Sequence, residues 1–353
     1  MQSIIREGLK KGKVEKLAGE IEYCRFATPF RKVERGSVVV GKRVIWGFPH
    51  IKRIFTLENG VRRNVRDSIV YLEEKIDGFN CRIAKIDGRI YGFSRGGFLD
   101  AFITEKARGM GLGRFFSRHP DYVICGEMLG NTPYTEPEKK FDVKLFVFDI
   151  DRGDGSYLRP DERYDAIRHF KISGVPELGR FHSDDYAGMK KVARALNRAR
   201  KEGMVIKSHD RRQAVKYVTP FADIDDIANT SERFLDMSMG FYYQRLLRSS
   251  FFIRDFGLGQ ERHSAALGKA FYKGMIGAIN KVESGGQIDR EFEILVKDPK
   301  IWDQIKSHQS RNIGYEKLWE RRENGKRRIR FRKIYWKTTR ELASLAAGKG
   351  VND

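Results

Sequence analysis

The chain has 353 residues, 33 % of them charged and 40 % hydrophobic, a balance that fits a folded protein of several domains. Lys and Arg outnumber Asp and Glu by 69 to 47, a net charge of +22. An excess of that size points to a polyanionic partner, because protein cations that neutralise phosphates release condensed counterions. The three cysteines, Cys24, Cys81 and Cys125, form no CxxC pair, which excludes a disulfide framework and a cysteine zinc site.

Taken in order, the N-terminal MQSIIREGLKKGKVEKL reads as a charged helix without the apolar centre of a signal peptide. No apolar run approaches the ~20 residues of a membrane span, so a cytoplasmic protein that touches no membrane is expected. SVVVGKRVIWGF (37–48) reads as β structure, giving a small β-rich domain over 1–61. Over 62–228 strands and helices alternate. IVYLEEKI, FNCRIAKI and RIYGFSR read as strands, the last two joined across Asp87-Gly88, a strong hairpin signal. AFITEKARGMGLGRFFSRH reads as one helix, YVICGEML and VKLFVFDI as strands, and the segment after Ser183 as a capped helix closing at Gly203. Beyond VTPFADIDD, Phe234, Met237, Phe241 and Tyr242, then Leu267, Phe271, Met275, Ile279 and Val282, space helically, which gives a helical domain over 229–295. The final domain, 296–353, carries ENGKRRIRFRKIYWK, with seven basic residues among the twelve from Lys326 to Lys337.

The tetrapeptide KIDG occurs twice, at 75–78 and 85–88. If Asp87-Gly88 is a two-residue turn, Ile86 pairs with Arg89, and counting outward sets Asn80 opposite Arg95, on one face. The second copy is then explained as strand and turn, with Lys85 on the other face. The first copy is the candidate for chemistry, and Lys75 the candidate nucleophile for the α-phosphate of a nucleoside triphosphate. Such an amine has to be neutral to attack, and phosphoryl transfer wants cations and a divalent metal around the phosphates. Glu73 shares the face of Lys75 and is expected to serve a metal-bound water or the base.

In KEGMVIKSHDRRQAVKYVTP a turn centred on Arg211-Arg212 would set Lys207 opposite Lys216, two cations that tolerate each other with an anion between them. A solvated face is the alternative for that pair. Glu202 is a candidate metal carboxylate, although a lone glutamate is usually surface. Glu127, inside the apolar VICGEML, needs a partner, and a ribose hydroxyl would serve. Phe148 in LFVFDI could stack on a base or simply belong to the core.

In order, EKIDGFN, SRGG, CGEMLG, FVFDI, KEGMVIK and VKY resemble the motifs of the covalent nucleotidyltransferases, the superfamily of polynucleotide ligases and RNA capping enzymes. Asn80 and Arg95, five and twenty residues after Lys75, are similar to the RNA ligase branch, and the whole layout to the archaeal ATP-dependent RNA ligases. The resemblance implies an α+β fold: an adenylating, ATP-grasp-like ligase core of antiparallel sheets with helices, between the N-terminal β-rich domain and the helical and basic α/β domains. It implies that Lys75 forms lysyl-AMP and that Asp77-Gly78 shapes the loop beneath it. Asn80 and Arg95 would handle phosphates and the 5′-phosphate end, Glu127 the ribose, Phe148 the adenine, Glu202 the Mg²⁺, and Lys207 and Lys216 the α-phosphate region. Ala214 stands where related ligases often carry the first lysine of a Lys-x-Lys pair.

The implied partners are ATP and single-stranded RNA with 5′-phosphate and 3′-hydroxyl ends, DNA being the second candidate, and the helical domain would form a homodimer. The competing readings are a capping guanylyltransferase or DNA ligase, which usually carry an OB-fold barrel where this chain turns helical, and a nucleic-acid-binding protein without turnover.

Overall fold

A computed structural model describes residues 1–135, 137, 141–307 and 313–351. They divide into two compact units, each assembled from separated segments: Met1–Lys52, Asp77–Pro176 and Lys207–Gln213 in the first, and Arg53–Ile76, Glu177–Ile206 and Ala214–Asp353 in the second.

The first unit holds two four-stranded antiparallel sheets. One runs Val14–Ala18, Glu22–Phe26, Val38–Val40, Arg43–Ile45 in spatial order. Its alternation sends Tyr23, Val38 and Ile45 against Ala84, Ile86, Tyr91 and Phe93 of the other sheet. That second sheet runs Val143–Asp151, Val123–Gly130, Phe79–Ile86, Arg89–Ser94. Asp87 and Gly88 both adopt positive φ, +46° and +81°, the pairing that matches the twist of a two-residue hairpin, and Ile86 pairs with Arg89 as expected.

The second unit is centred on a five-stranded sheet in the order Glu177–His182, Ile69–Lys75, Gly203–Ser208, Ala214–Val218, Lys52–Arg53. Val70, Leu72, Met204, Ile206, Val215 and Tyr217 bury one face against Leu57 and Val61 of the helix Leu57–Asn64 and Met189, Ala193 and Leu196 of the helix Tyr186–Arg198. Each such side chain withdrawn from water contributes ~1.5–3 kcal/mol, before the entropy of ordering the chain. Helices Pro220–Thr230, Met239–Asp255 and Glu261–Glu283 follow, then the sheet Asp289–Val296, Lys326–Tyr335, Ile313–Glu323.

Two expectations change. The helix read through 101–119 is two, Ala101–Arg108 and Gly113–Arg118, parted where Gly111 takes φ +71°. A boundary at 295 would cut the strand Asp289–Val296, which pairs along its length with Lys326–Tyr335, and residues 53–61 group with the second unit rather than with the N-terminal sheet. The basic tail is also compensated within its own sheet. Arg327 binds Glu320, Arg328 binds Glu293 and Glu323, Arg330 binds Glu291, and Arg332 binds Glu316.

Candidate active site

Alternation along Ile69–Lys75 commits Val70 and Leu72 to the core and turns Glu73 and Lys75 to the opposite face. Lys75 Nζ donates to Glu202 Oε2 at 2.5 Å, both side chains about a fifth exposed. Glu74, on the core side, is drawn off by Lys201 at 3.0 Å. Glu73 is almost wholly buried, with 1 % exposure.

Glu202 stands at the entry to Gly203–Ser208, and its glycine neighbour is required there. Gly203 has φ +149°, and a Cβ on it would lie 2.0 Å from the Tyr217 carbonyl. The hairpin differs from the expectation. Ser208 N donates to Gln213 O and Thr219 N to Glu202 O, both at 2.9 Å, so Lys216 falls opposite Val205 and not opposite Lys207. The Ser208 hydroxyl closes a wider loop by accepting from Gln213 N, which moves the register by two residues.

In the first unit the register of the second sheet brings together three of the predicted positions, Asn80, Arg95 and Glu127. Cys81 pairs with Ser94, which sets Asn80 beside Arg95 on the next step; Asn80 pairs with Glu127, and Glu127 with Phe146. Arg95, Asn80, Glu127 and Phe146 thus form one row across four strands, on one face. Asn80 Oδ1 is buried and without a hydrogen-bond partner among the described residues. Gly78 packs onto this row: a Cβ there would meet Glu127 Cγ at 2.9 Å and the Met128 carbonyl at 2.7 Å.

The loop carrying Arg95 is clamped from below. Arg82, fully buried, donates to the carbonyls of Trp46, Gly36 and Ser94 at 2.6, 2.7 and 3.0 Å. Arg25 adds a bond to the Gly96 carbonyl at 2.9 Å. Above, Arg95 Nη2 lies 3.2 Å from His50 Nδ1.

Phe148 is the extra residue of a β-bulge. Val147 pairs with Gly126 and Asp149 with Cys125, leaving Phe148 outside the ladder. Its released carbonyl accepts from Lys207 Nζ at 2.5 Å and Arg163 Nη1 at 2.8 Å, and its ring meets Phe48 edge-on at 5.0 Å. Lys207, 1 % exposed, also reaches Asp149 Oδ1 at 3.1 Å, while Arg211 grips both Asp149 oxygens at 2.7 and 2.5 Å. Burial alone would raise the Asp149 carboxyl; the Arg211 guanidinium and the Lys207 ammonium more than reverse it and hold the group at about 2. The anion that Lys207 was expected to share with Lys216 is therefore, in part, the protein's own aspartate. Asp149, Arg211 and Arg82 were missed from sequence. The signal was present in LFVFDI, a carboxylate inside an apolar strand, the same argument that selected Glu127.

Among the described residues no three His, Cys, Asp or Glu side chains gather into a metal cluster. A site offering one hard carboxylate oxygen, such as Glu202, suits a cation that takes its remaining ligands from phosphate and water.

Residues 68–218 match the RNA ligase family model, and residues 230–349 match the model described as the C-terminal region of ligase Pab1020. The uncharacterized protein MJ0414 of Methanocaldococcus jannaschii is 30 % identical over 302 residues, covering 81 % of this chain and 76 % of that one. A solved Aquifex aeolicus protein, provisionally described as an ATP-dependent DNA ligase, superposes with a TM-score of 0.93 at 31 % identity over the whole of both chains. An archaeal ATP-dependent RNA ligase superposes with a TM-score of 0.89 at 26 % identity, over 99 % of this chain and 96 % of its own.

Proposed function

The chain belongs to the ATP-dependent RNA ligases of archaeal type, and from that premise we propose that Lys75 is its nucleophile and Glu202 the group that takes the lysine's proton. One observation carries this reading: the 2.5 Å hydrogen bond between Nζ and a carboxylate oxygen, on the copy of KIDG that is not a hairpin turn.

Nζ attacks the α-phosphorus of ATP. A P–N bond forms, the bond from that phosphorus to the bridging oxygen breaks, and pyrophosphate leaves with the electron pair while the Nζ proton passes to Glu202. A 5′-phosphate oxygen of the RNA then displaces Lys75 from the phosphorus, and the amine regains a proton. Finally a 3′-hydroxyl attacks the 5′-phosphorus, AMP departs, and the phosphodiester is closed. Each step is a substitution at phosphorus, where catalysis rests on positioning and on charge held near the oxygens.

In this reading Glu127 receives a ribose hydroxyl and Phe148 stacks on adenine. Asn80, with its unmet Oδ1, and Arg95 hold phosphate and the 5′ end, Lys207 and Lys216 serve the α-phosphate region, and Asp77-Gly78 shape the loop. Glu73 supports the same face as Lys75. Mg²⁺, with Glu202 among its ligands, would neutralise charge on the phosphate oxygens. The substrate is single-stranded RNA with 5′-phosphate and 3′-hydroxyl ends. Met239, Tyr243, Leu246, Tyr272 and Ile276, exposed on the helices Met239–Asp255 and Glu261–Glu283, support a homodimer through that segment. No helix among the described residues is long and apolar enough to cross a membrane.

Intact-protein mass after incubation with Mg²⁺ and ATP, or GTP in parallel, tests the assignment. An AMP adduct is expected in the wild type and in Lys85→Ala and none in Lys75→Ala. An adduct that survives Lys75→Ala overturns it.

A further inference from the structure

The second KIDG copy takes no part in this chemistry, yet it lines a cavity of its own. Three turns of the first unit meet there: Val40–Arg43, Lys85–Gly88 and Pro120–Asp121, around a space of about 530 Å³. Its charged lining is Lys42, Arg43 and Lys85 against Asp87 and Asp121. Asp121 is engaged by Arg43 Nη1 at 2.5 Å. The opposite edge of the same guanidinium, Nε and Nη2, is sealed from water and has no acceptor among the described residues.

Two adjacent unmet donors on one guanidinium are unusual. A buried donor left without a partner costs ~1–3 kcal/mol, and native structures hold few of them. Sealed from water, that edge is out of a ligand's reach, and the cations the lining leaves to a phosphate are Lys42 and Lys85. Lys42 and Lys85 face no carboxylate within ion-pair distance among the described residues, so the cavity keeps an excess of positive charge.

We propose that this cavity binds a phosphodiester of the RNA strand, away from the ends being joined. Asn80 and Lys85 lie on one strand five residues apart, ~17 Å at the usual strand rise, and five residues place them on opposite faces. The cavity is separated from the row at Asn80 by that distance, and only an RNA long enough to span it engages both. The motif at 85–88 then has a binding use beside its turn geometry, through its lysine.

The test compares wild type, Lys85→Ala and Lys42→Ala/Lys85→Ala, all of which leave Arg43 and its Asp121 contact intact. Equilibrium binding is measured with a 5′-phosphorylated dinucleotide and with a single-stranded RNA several times longer, across a salt series, with inorganic phosphate as competitor in a further arm. The double variant is expected to bind the long RNA ~5- to 10-fold more weakly at low salt. Its slope of log affinity against log salt should be shallower by ~0.7 for the phosphate lost. Dinucleotide binding and the AMP adduct mass should not change. An unchanged affinity for the long RNA, an equal loss for the dinucleotide, or RNA binding insensitive to the cavity while inorganic phosphate binds there would each overturn the proposal. The wild-type adduct is read in the same samples, so failure of the ligase chemistry is seen separately from failure of this site.

Discussion

Lys75 and Glu202, 127 residues apart in sequence, meet at 2.5 Å as the closest polar contact of the candidate nucleophile. In the proposed chemistry the carboxylate orients the amine and receives its proton. Glu202→Gln keeps the shape and a hydrogen-bonding oxygen but removes the negative charge. Single-turnover formation of lysyl-AMP should slow by ~10²–10⁴-fold, the usual worth of a positioned proton acceptor. Thermal unfolding should move little, since both groups are partly exposed. An unchanged rate would take Glu202 out of the proton transfer.

Gly78→Ala tests how closely the motif loop must approach the row. The added methyl would stand 2.7 Å from the Met128 carbonyl and 2.9 Å from Glu127 Cγ, so loop or glutamate has to move. A displacement of about 1 Å can lower a positioned reaction by ~10²-fold. The adduct should form slowly, and the ATP concentration for half-maximal rate should rise. Normal kinetics would show that Glu127 is not set by this contact.

Asp149 gives a pH prediction of definite sign. Its carboxyl is held at about 2 in the folded protein, below its ordinary value near 4, so it stabilises the fold fully above that value. The contribution disappears as pH falls from about 4 towards 2, and amounts to ~2 kcal/mol. Asp149→Asn also removes the one carboxylate that Lys207 and Arg211 are shown to share, so at neutral pH its unfolding free energy should drop by ~3–5 kcal/mol. The gap between wild type and variant should narrow in urea titrations taken stepwise below pH 4. A gap that stays constant to pH 2 would refute the ion-pair account.

How far the sequence could be read follows from what sets each register. Asn80 beside Arg95 was legible because Asp87-Gly88 is a turn whose type the two residues themselves dictate. Lys207 against Lys216 was not, because the Ser208 hydroxyl, a side-chain contact, decides that hairpin's length. The row from Arg95 through Glu127 needed the pairing of strands far apart in the chain, which no local pattern specifies. The glutamates that match Arg327, Arg328, Arg330 and Arg332 were not legible beside them, since they sit on neighbouring strands and come alongside only through cross-strand pairing.

Arg82 is expected to behave as a positioning residue for Arg95. Arg82→Met fills much of the same volume but leaves the carbonyls of Gly36, Trp46 and Ser94 without their donor. Stability should fall by ~3 kcal/mol or more, from several buried acceptors left unmet. At a temperature where the variant is still folded, AMP transfer to a 5′-phosphorylated RNA should be impaired more than adduct formation. Equal impairment of both steps would indicate a general loss of structure.

The exposed apolar residues of the two long helices bear on assembly. Tyr243 and Tyr272 are both 66 % exposed, and Tyr243→Glu with Tyr272→Glu should leave the fold intact while shifting a dimer to monomer in sedimentation. A wild type that sediments as a monomer at every concentration would remove the dimer from the proposal.

The bulge at Phe148 makes the length of FVFDI matter as much as its letters. Parity along a strand is set by counting, and Phe148 is the extra residue that puts Val147, beside Gly126, and Asp149, beside Cys125, on opposite faces although both are odd-numbered. Delete Phe148, and Val147–Gly126 and Asp149–Cys125 become successive pairs, so the faces are kept while the carbonyl that Lys207 and Arg163 bind is lost; delete a ladder residue instead, and the residues on one side of it change face. Single-residue deletions at ladder positions through 145–151 should therefore be harsher than deletion of Phe148 itself. An insertion or deletion in this stretch of a relative would signal an altered bulge, even where every aligned letter agreed.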